Sequence, residues 1–377
     1  MAKPIKTLTL ITLSHLVNDW YSLLIPPAIP ILKFAYHLSY IQSGVLVSTP
    51  YIVSAILQTY IAYLAEKKAK RVLALKLGFL ILSLSFILFY FSNSFLLMVL
   101  AALLIGVGLS IYHPQGMGLL ANVFKNQKGM ALGVNGIGGA IGFFLAPVSM
   151  GYLLSKFGLK AFLLVAIPGF LMVIILMLCK QEEKPLDIVL KHVFSKELLI
   201  VGFVAMVSPF FSRGISAFLP AYFYNKGQNI LDANLMASVM LLAGIIAQPI
   251  GGKLSDKFGR KEVIFASYTL MAVFLILFLF FPNLILLFLL GFATSVSIPV
   301  RHALAAEVGG KSMNANIAVS YTMVMVGASI APILIGFLID NFGFNIAFGI
   351  NSIIAISGAL LLFFVKPKQQ NLTISSN

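Results

Sequence analysis

Charge is scarce in this chain. Of its 377 residues only 10% are Asp, Glu, Lys or Arg, and just 11 are acidic. With 60% hydrophobic residues and a mean hydropathy of +1.01, it does not have the composition of a water-soluble globular protein. The single cysteine, Cys179, excludes an intramolecular disulfide. There is no H-E-x-x-H, no G-x-S-x-G, no phosphate-cradling loop and no His/Cys cluster at ligand spacing, so no enzyme, metal centre or cofactor is expected. The net charge of +15 does not mark a nucleic-acid partner, because the basic residues are scattered and build no face interleaved with stacking aromatics.

What is abundant is the long apolar run. Residues 72–91, 162–179 and 263–281 have the length a helix needs to cross a hydrocarbon layer of about 30 Å. Runs such as LILSLSFILFYF are apolar on every face, which excludes the alternating pattern of a membrane barrel. The short basic start leads into a segment with Asn18 and Asp19 and no small-residue cleavage site, and so reads as a first span rather than a signal peptide. The pattern predicts helices over 7–34, 39–65, 71–92, 95–124, 128–155, 160–180, 197–224, 231–255, 261–281, 283–308, 312–340 and 344–365. With the start of the chain inside, 20 of the 26 basic residues fall on the inner side. Only Lys33, Lys156, Lys160 and Lys226 fall outside, while Arg213 and Arg301 lie within spans. The inside-positive rule then puts both termini in the cytoplasm of a multi-pass plasma-membrane protein. The longest polar break, KQEEKPLDIVLKHVFSK, divides the chain into 1–180, a linker over 181–196, and 197–377.

The two parts are related. Ala146-Pro147, Gly151 and Phe157-Gly158 recur 185 residues later as Ala331-Pro332, Gly336 and Phe342-Gly343. The same offset carries Gly106, Ser110 and Pro114 onto Gly291, Ser295 and Pro299. Nearer the start the offset is 194, where Asp19, Ser22 and Pro26 map onto Arg213, Ser216 and Pro220. Between them, Ala62 to Lys67 map onto Gly252 to Lys257 at an offset of 190. Four segments kept in order are an internal repeat.

One loop carries a specific motif. The stretch Gly252-Lys253-Leu254-Ser255-Asp256-Lys257-Phe258-Gly259-Arg260-Lys261 matches G-x-L-[AS]-D-[RK]-x-G-R-[RK], a signature of the major facilitator superfamily, and nearly the whole chain resembles that superfamily. The first-half copy, Ala62 to Arg71, is similar but has alanine for both glycines and Glu66 for the aspartate. The resemblance implies an all-α membrane protein: twelve transmembrane helices in two parallel-repeat six-helix bundles. It also implies an inner gate made by Glu66, Asp256 and Arg260, in which Asp256 faces the start of helix 5 and Glu66 the start of helix 11. A carboxylate there accepts from free N–H groups at a positive helix end; the plainer reading is that these loops only obey the inside-positive rule. Helix 5, with Gly133, Gly136, Gly138, Gly139, Gly142 and Pro147, permits either a hinge or simply close packing.

Within the superfamily, Tyr112-His113-Pro114-Gln115-Gly116 resembles the Y-H-P-Q-G segment of fosmidomycin-resistance-type exporters. Helix 1 agrees, with His15, Asn18-Asp19 and Pro26-Pro27 before Pro30. So does Ala306-Glu307 before Gly309.

A charge at membrane depth costs about 2.5 kcal/mol or more on insertion scales and needs a partner or a function. Asp19, about 20 Å along its helix from Lys6, lies near the midplane, and His15 shares its face. The resemblance brings helices 1, 4, 7 and 10 around one cavity, with Asn18, Tyr112, His113, Gln115, Arg213 and Arg301 as its expected polar lining. Asp19 with His15 is the expected proton-coupling site, and Arg213 its counter-charge and an anchor for an anionic solute; a static buried pair is the plainer alternative. Arg301 and His302 are adjacent, so only one is expected to face the cavity squarely. Trp20, Tyr222 and Tyr224 either touch solute or merely pack. Glu307 is expected near the inner mouth, solvated. The expectation is a monomeric secondary transporter in the lipid bilayer that exports a small molecule against protons, with proton-coupled or facilitated uptake of an organic anion as the alternative.

Overall fold

The structure, a computed structural model, describes residues 2–67, 69–125, 127–179, 195–308 and 313–365. The predicted linker 181–196 lies outside the described residues apart from its last two positions, and the side chain of Glu66 lies outside them as well. Among the described residues every regular element is helical: α1 (Ala2–Ser22), α2 (Ile29–Tyr36), α3 (Tyr40–Lys67), α4 (Arg71–Phe91), α5 (Phe95–Val123), α6 (Lys128–Phe157), α7 (Ala161–Leu164), α8 (Ala166–Ile175), α9 (Lys196–Pro209), α10 (Ser216–Asn225), α11 (Ile230–Phe258), α12 (Arg260–Phe280), α13 (Leu284–Val308) and α14 (Met313–Leu361).

Nine helical stretches among the described residues are long and apolar enough to cross a membrane; one of them doubles back, and with α1–α2 and the shorter apolar helix Ala166–Leu178 they make up twelve crossings. The stretch Gly129–Leu164 runs through α6 into α7, which with α8 returns as a sixth crossing. The stretch Val319–Phe364 doubles back inside α14 at Gly343, whose φ of 77° lies in the left-handed region that favours glycine. The first crossing is α1 plus α2. It begins earlier than predicted, at Ala2, and is interrupted between them. Pro26 and Pro27 bring no N–H to the ladder, which frees the carbonyls a turn earlier. Tyr51 of α3 repairs one of them, its hydroxyl donating to Ser22 O at 3.1 Å.

The helices before residue 180 pack on one another, as do α9 to α14, and the two bundles meet along two seams: α6 against α11, and α3 against α14. The repeat builds both seams. At Gly151 a Cβ would meet Asn234 of α11, and at Gly336, its copy 185 residues on, a Cβ would strike the Tyr40 backbone of α3. Gly44 of α3 lies equally close to the Pro332 carbonyl of α14. We expect Gly44→Ala to force this seam apart and lower thermal stability by about 1–3 kcal/mol, the usual cost of overpacking, as read by a melting curve in detergent.

Both seams lie toward one end of the molecule, here the far end, where α3 and α11 begin. The near end carries the start of α1 and the α11–α12 loop. On the near part of α6, a Cβ at Gly129, Gly133 or Gly136 would meet nothing within 4 Å, and Gly252 of α11 is equally open. The bundles therefore touch at the far end and part at the near end.

Candidate functional site

Between the bundles lies a cavity of about 260 Å³, walled by α1, α3, α5 and α6 on one side and α11, α13, α14 and the α9–α10 segment on the other. Just beyond it, toward the far end, Pro26, Pro27, Pro147 and Pro220 crowd together around a residual void of about 10 Å³, too small for more than one water. The cavity is closed on that side by proline rings.

Asp19 is 3% exposed, on the first-bundle wall. Its carboxylate is held between two imidazoles, with His15 Nε2 at 3.2 Å from Oδ2 and His113 Nε2 at 3.6 Å from Oδ1. Asn18 Nδ2 donates to Oδ1 at 3.0 Å. His15 Nδ1 lies 2.7 Å from the Asn135 carbonyl of α6, an acceptor only, so that nitrogen carries the proton and Nε2 faces the carboxylate. The site needs Gly139, where a Cβ would run into the Asp19 carboxylate and the His15 ring. Gly138 and Gly142 likewise let α6 lie against the backbone of α1 at Thr12 and Leu16. These glycines serve close packing and make room for the acid.

On the opposite wall the α9–α10 crossing widens into a π-helical turn over Phe210–Ile215, between Pro209 and Pro220, and this turn carries Arg213. Its guanidinium lies over the Phe143 ring at 4.3 Å and near the Tyr51 ring at 5.5 Å. No ion pair joins Arg213 to Asp19 among the described residues. This corrects the expected Asp19–Arg213 pair. The two histidines already occupy both carboxylate oxygens, and the arginine is held by aromatic faces instead.

Arg301 and His302, of which only one was expected to face the cavity squarely, both line it. Neighbouring side chains 100° apart can straddle the direction of the cavity. Arg301 Nη1 donates to Ser208 Oγ, and His302 Nδ1 lies 3.2 Å from Ser320 Oγ. Tyr321 of α14, which the sequence did not flag, stands between His113 (ring centroids 6.1 Å) and His302 (6.0 Å) and links the two walls. With Tyr112 on His15 at 4.9 Å and His15 on His113 at 5.3 Å, rings run across the whole cavity.

Two expected cavity residues are elsewhere. Tyr112 is buried behind His15, its hydroxyl donating to Ile11 O or Asn135 Oδ1, each at 2.9 Å. Gln115 is fully buried, with Nε2 3.5 Å from Ile61 O. One helix presents only part of the Y-H-P-Q-G segment to the cavity, and that part is His113. Trp20 donates to Ser149 Oγ at 2.7 Å, Tyr222 packs among Phe278, Phe344 and Phe348, and none of the three flagged aromatics (Trp20, Tyr222, Tyr224) lines the cavity.

The gate loop also departs from expectation. Asp256 Oδ1 pairs with Arg260 Nη1 at 2.6 Å, and among the described residues no bond takes it to the start of α6. With the near ends apart, that helix start is out of reach. Arg260 also bonds Glu307 Oε1 through Nε at 3.1 Å and Ser255 Oγ through Nη1, so Glu307 is paired rather than merely solvated.

At the far end the structure contains a contact that the sequence reading missed. Ser39 and Gln42 form a capping box at the start of α3: Gln42 N–H donates to Ser39 Oγ at 3.1 Å, and Ser39 N–H to Gln42 Oε1 at 2.9 Å. The two N–H groups between them, on Tyr40 and Ile41, donate to the Asp340 carboxylate of α14 at 2.9 and 2.8 Å. Asn225 of α10 adds a bond to Tyr40 Oη at 2.8 Å.

Comparison with known proteins agrees with this architecture. The chain is 24% identical over 373 residues to the fosmidomycin resistance protein of Escherichia coli (strain K12), spanning 94% of this chain and 91% of that one. It is 26% identical over 389 residues to the uncharacterized MFS-type transporter YfnC of Bacillus subtilis (strain 168), spanning 97% and 93%. A bacterial homologue of the human lysosomal transporter Spinster, crystallised inward-facing and occupied, has the same fold, with a TM-score of 0.84 over 97% of both chains at 16% identity. The sequence pattern of the Major Facilitator Superfamily matches residues 11–227 and again 198–376, and the chain belongs to that superfamily of multi-pass membrane transporters.

Proposed function

We propose that the protein is a proton-coupled exporter of a small organic solute, working by alternating access between bundles 1–180 and 197–377 about the linker 181–196. The observation that carries this reading is Asp19, a carboxylate buried between two imidazoles on the wall of a cavity closed at one end. Such a group exchanges a proton as the cavity changes sides, and His15 and His113 accept or return it. The bias of 20 basic residues to four supports a near end on the cytoplasmic side of the plasma membrane, and in this reading the cavity faces inward and loads solute from inside. Asp340 on the α3 start is the outer latch of this state; Asp256, Glu66 and Arg260 form the inner gate when the near ends close. Export is favoured by the name of the Escherichia coli relative, a resistance protein. The unit is a monomer, each chain having its own cavity.

The deciding experiment reconstitutes the protein into vesicles, imposes a pH gradient, and follows solutes first found by thermal shift at two pH values. Accumulation on the acidic side, against the solute gradient, is the expected result. Flux that ignores the pH gradient would refute coupling.

A second reading, uptake of an organic anion, is favoured by Arg213, whose guanidinium lies on Phe143 in the cavity and, among the described residues, makes no ion pair with a carboxylate. In either direction Arg213→Gln should weaken binding of an anionic solute about tenfold, the lower range for a charge-assisted bond, and leave neutral solutes unaffected. Equilibrium binding of matched charged and neutral analogues measures this.

A further inference from the structure

We propose that His15, Asp19 and His113 form a binding site for a divalent transition-metal ion of the zinc class, open to the cavity on one side. The sequence hides the grouping, since His113 lies on α5, far along the chain from α1. In the fold the ligating atoms of all three lie within 4.8 Å of one another.

The argument starts from His15. Because its Nδ1–H is committed to the Asn135 carbonyl, Nε2 of the neutral ring presents a lone pair to Asp19 Oδ2 at 3.2 Å. Two acceptors that close repel each other unless a cation lies between them. A proton is one such cation, used in the transport reading above, and a metal ion is the other. Buried Nε2 of His15 and buried Oδ1 of the adjacent Asn18 have no hydrogen-bond donor.

The ligand set suits the ion. Two imidazoles and one carboxylate form a donor set typical of zinc, at about 2.0–2.2 Å from the metal with one position left open. Ligating atoms around such an ion are about 3.3 Å apart, close to the His15–Asp19 spacing already present. His113 closes the remaining gap, and its side chain is the more exposed, at 25%. The supporting contacts are those of a metal centre: a backbone carbonyl orients His15, Tyr112 stacks on its ring, and Asn18 orients the carboxylate. Gly139 backs the cluster, so the open position faces the cavity. Arg213 and Arg301 on the opposite wall resist a bare dication. They favour an ion whose open position is filled by an anionic donor, such as a carboxylate or hydroxamate oxygen of a solute.

The test uses the full chain, purified in detergent, stripped with chelator and titrated with Zn²⁺ and Co²⁺. One saturable Zn²⁺ site per chain is expected, weakened roughly tenfold to a hundredfold by His113→Asn, His15→Asn or Asp19→Asn and unchanged by His302→Asn. Arg213→Gln is expected to tighten it, which an unrelated surface site would not do. Zn²⁺ affinity that survives all three cluster substitutions would overturn the proposal. Melting curves without metal establish that each variant is folded. If a variant does not fold, the wild-type Co²⁺ spectrum decides: strong visible absorption of a four- or five-coordinate ion supports the site, and the weak spectrum of a six-coordinate aquo ion overturns it. Both readouts are equilibrium measurements without a gradient, whereas proton coupling is measured in chelator-treated vesicles, so either reading can fail without the other.

Discussion

Asp19→Asn is expected to abolish gradient-driven transport while leaving the cavity able to bind solute. Asparagine has the shape of the acid but carries no exchangeable charge, and the imidazoles that now hold the carboxylate at 3.2 and 3.6 Å lose their charged partner. Each unit of pH difference is worth about 1.4 kcal/mol, roughly a tenfold accumulation ratio for a single coupled proton. In vesicles the variant should bring that ratio to about one, whatever gradient is imposed. Thermal shift by the same solute should persist, since Arg213, Arg301 and the aromatic wall are untouched. Asp19→Glu is an informative companion. The longer arm must fit where Gly139 leaves no space for even a Cβ, so partial coupling at a lower rate is expected. A wild-type accumulation ratio in Asp19→Asn would mean that the acid is a static strut.

Asp340→Ala should release the far end. The carboxylate closes the only two first-turn N–H groups of α3 that the Ser39–Gln42 box leaves open, at 2.9 and 2.8 Å. Hydrogen bonds to a charged group contribute about 1.5–3 kcal/mol, and the helix dipole adds a few tenths. Losing them moves the balance between far-closed and far-open forms roughly tenfold to a hundredfold toward far-open. Asp340→Asn retains one acceptor and should fall between. Spin labels at Phe34 and Phe342, both exposed beside this end, on a Cys179→Ser background, would report the change as a second, longer distance population. Identical distance distributions in wild type and Asp340→Ala would show that packing at Gly44 and Gly336 holds the end shut unaided.

The two predictions differ in how far the sequence foretold them. Asp19 was legible because a lone acid at the midplane of an apolar helix is conspicuous. His15 was expected beside it and is there, but its counter-charge was misassigned because the repeat aligns Asp19 with Arg213, and equivalence in a repeat is not contact. Asp340 was passed over because it sits at a helix end where charge is cheap and unremarkable. The gate residues Asp256 and Arg260 were found by motif, yet their bonds here stay within one bundle, since a motif says nothing about which side is open. Tyr112 and Gln115 came with a matching segment and proved to be packing residues. Asn135, a single polar residue in a glycine-rich run, and Tyr321, between Ser320 and Thr322, carry no charge or motif that would mark them.

Hydropathy, the positive-residue bias, the 185-residue repeat and the loop motif carried the span count, the pairing of the halves and the family, because a hydrocarbon layer imposes one length on every crossing and leaves polar groups few places to be. Which atoms meet was settled by the packing of helices. Rotation of a helix about its axis, the approach allowed by Gly139 or Gly336, and the break at Pro26-Pro27 each turn a side chain by tens of degrees, and nothing local in an all-round apolar helix prefers one rotation over another.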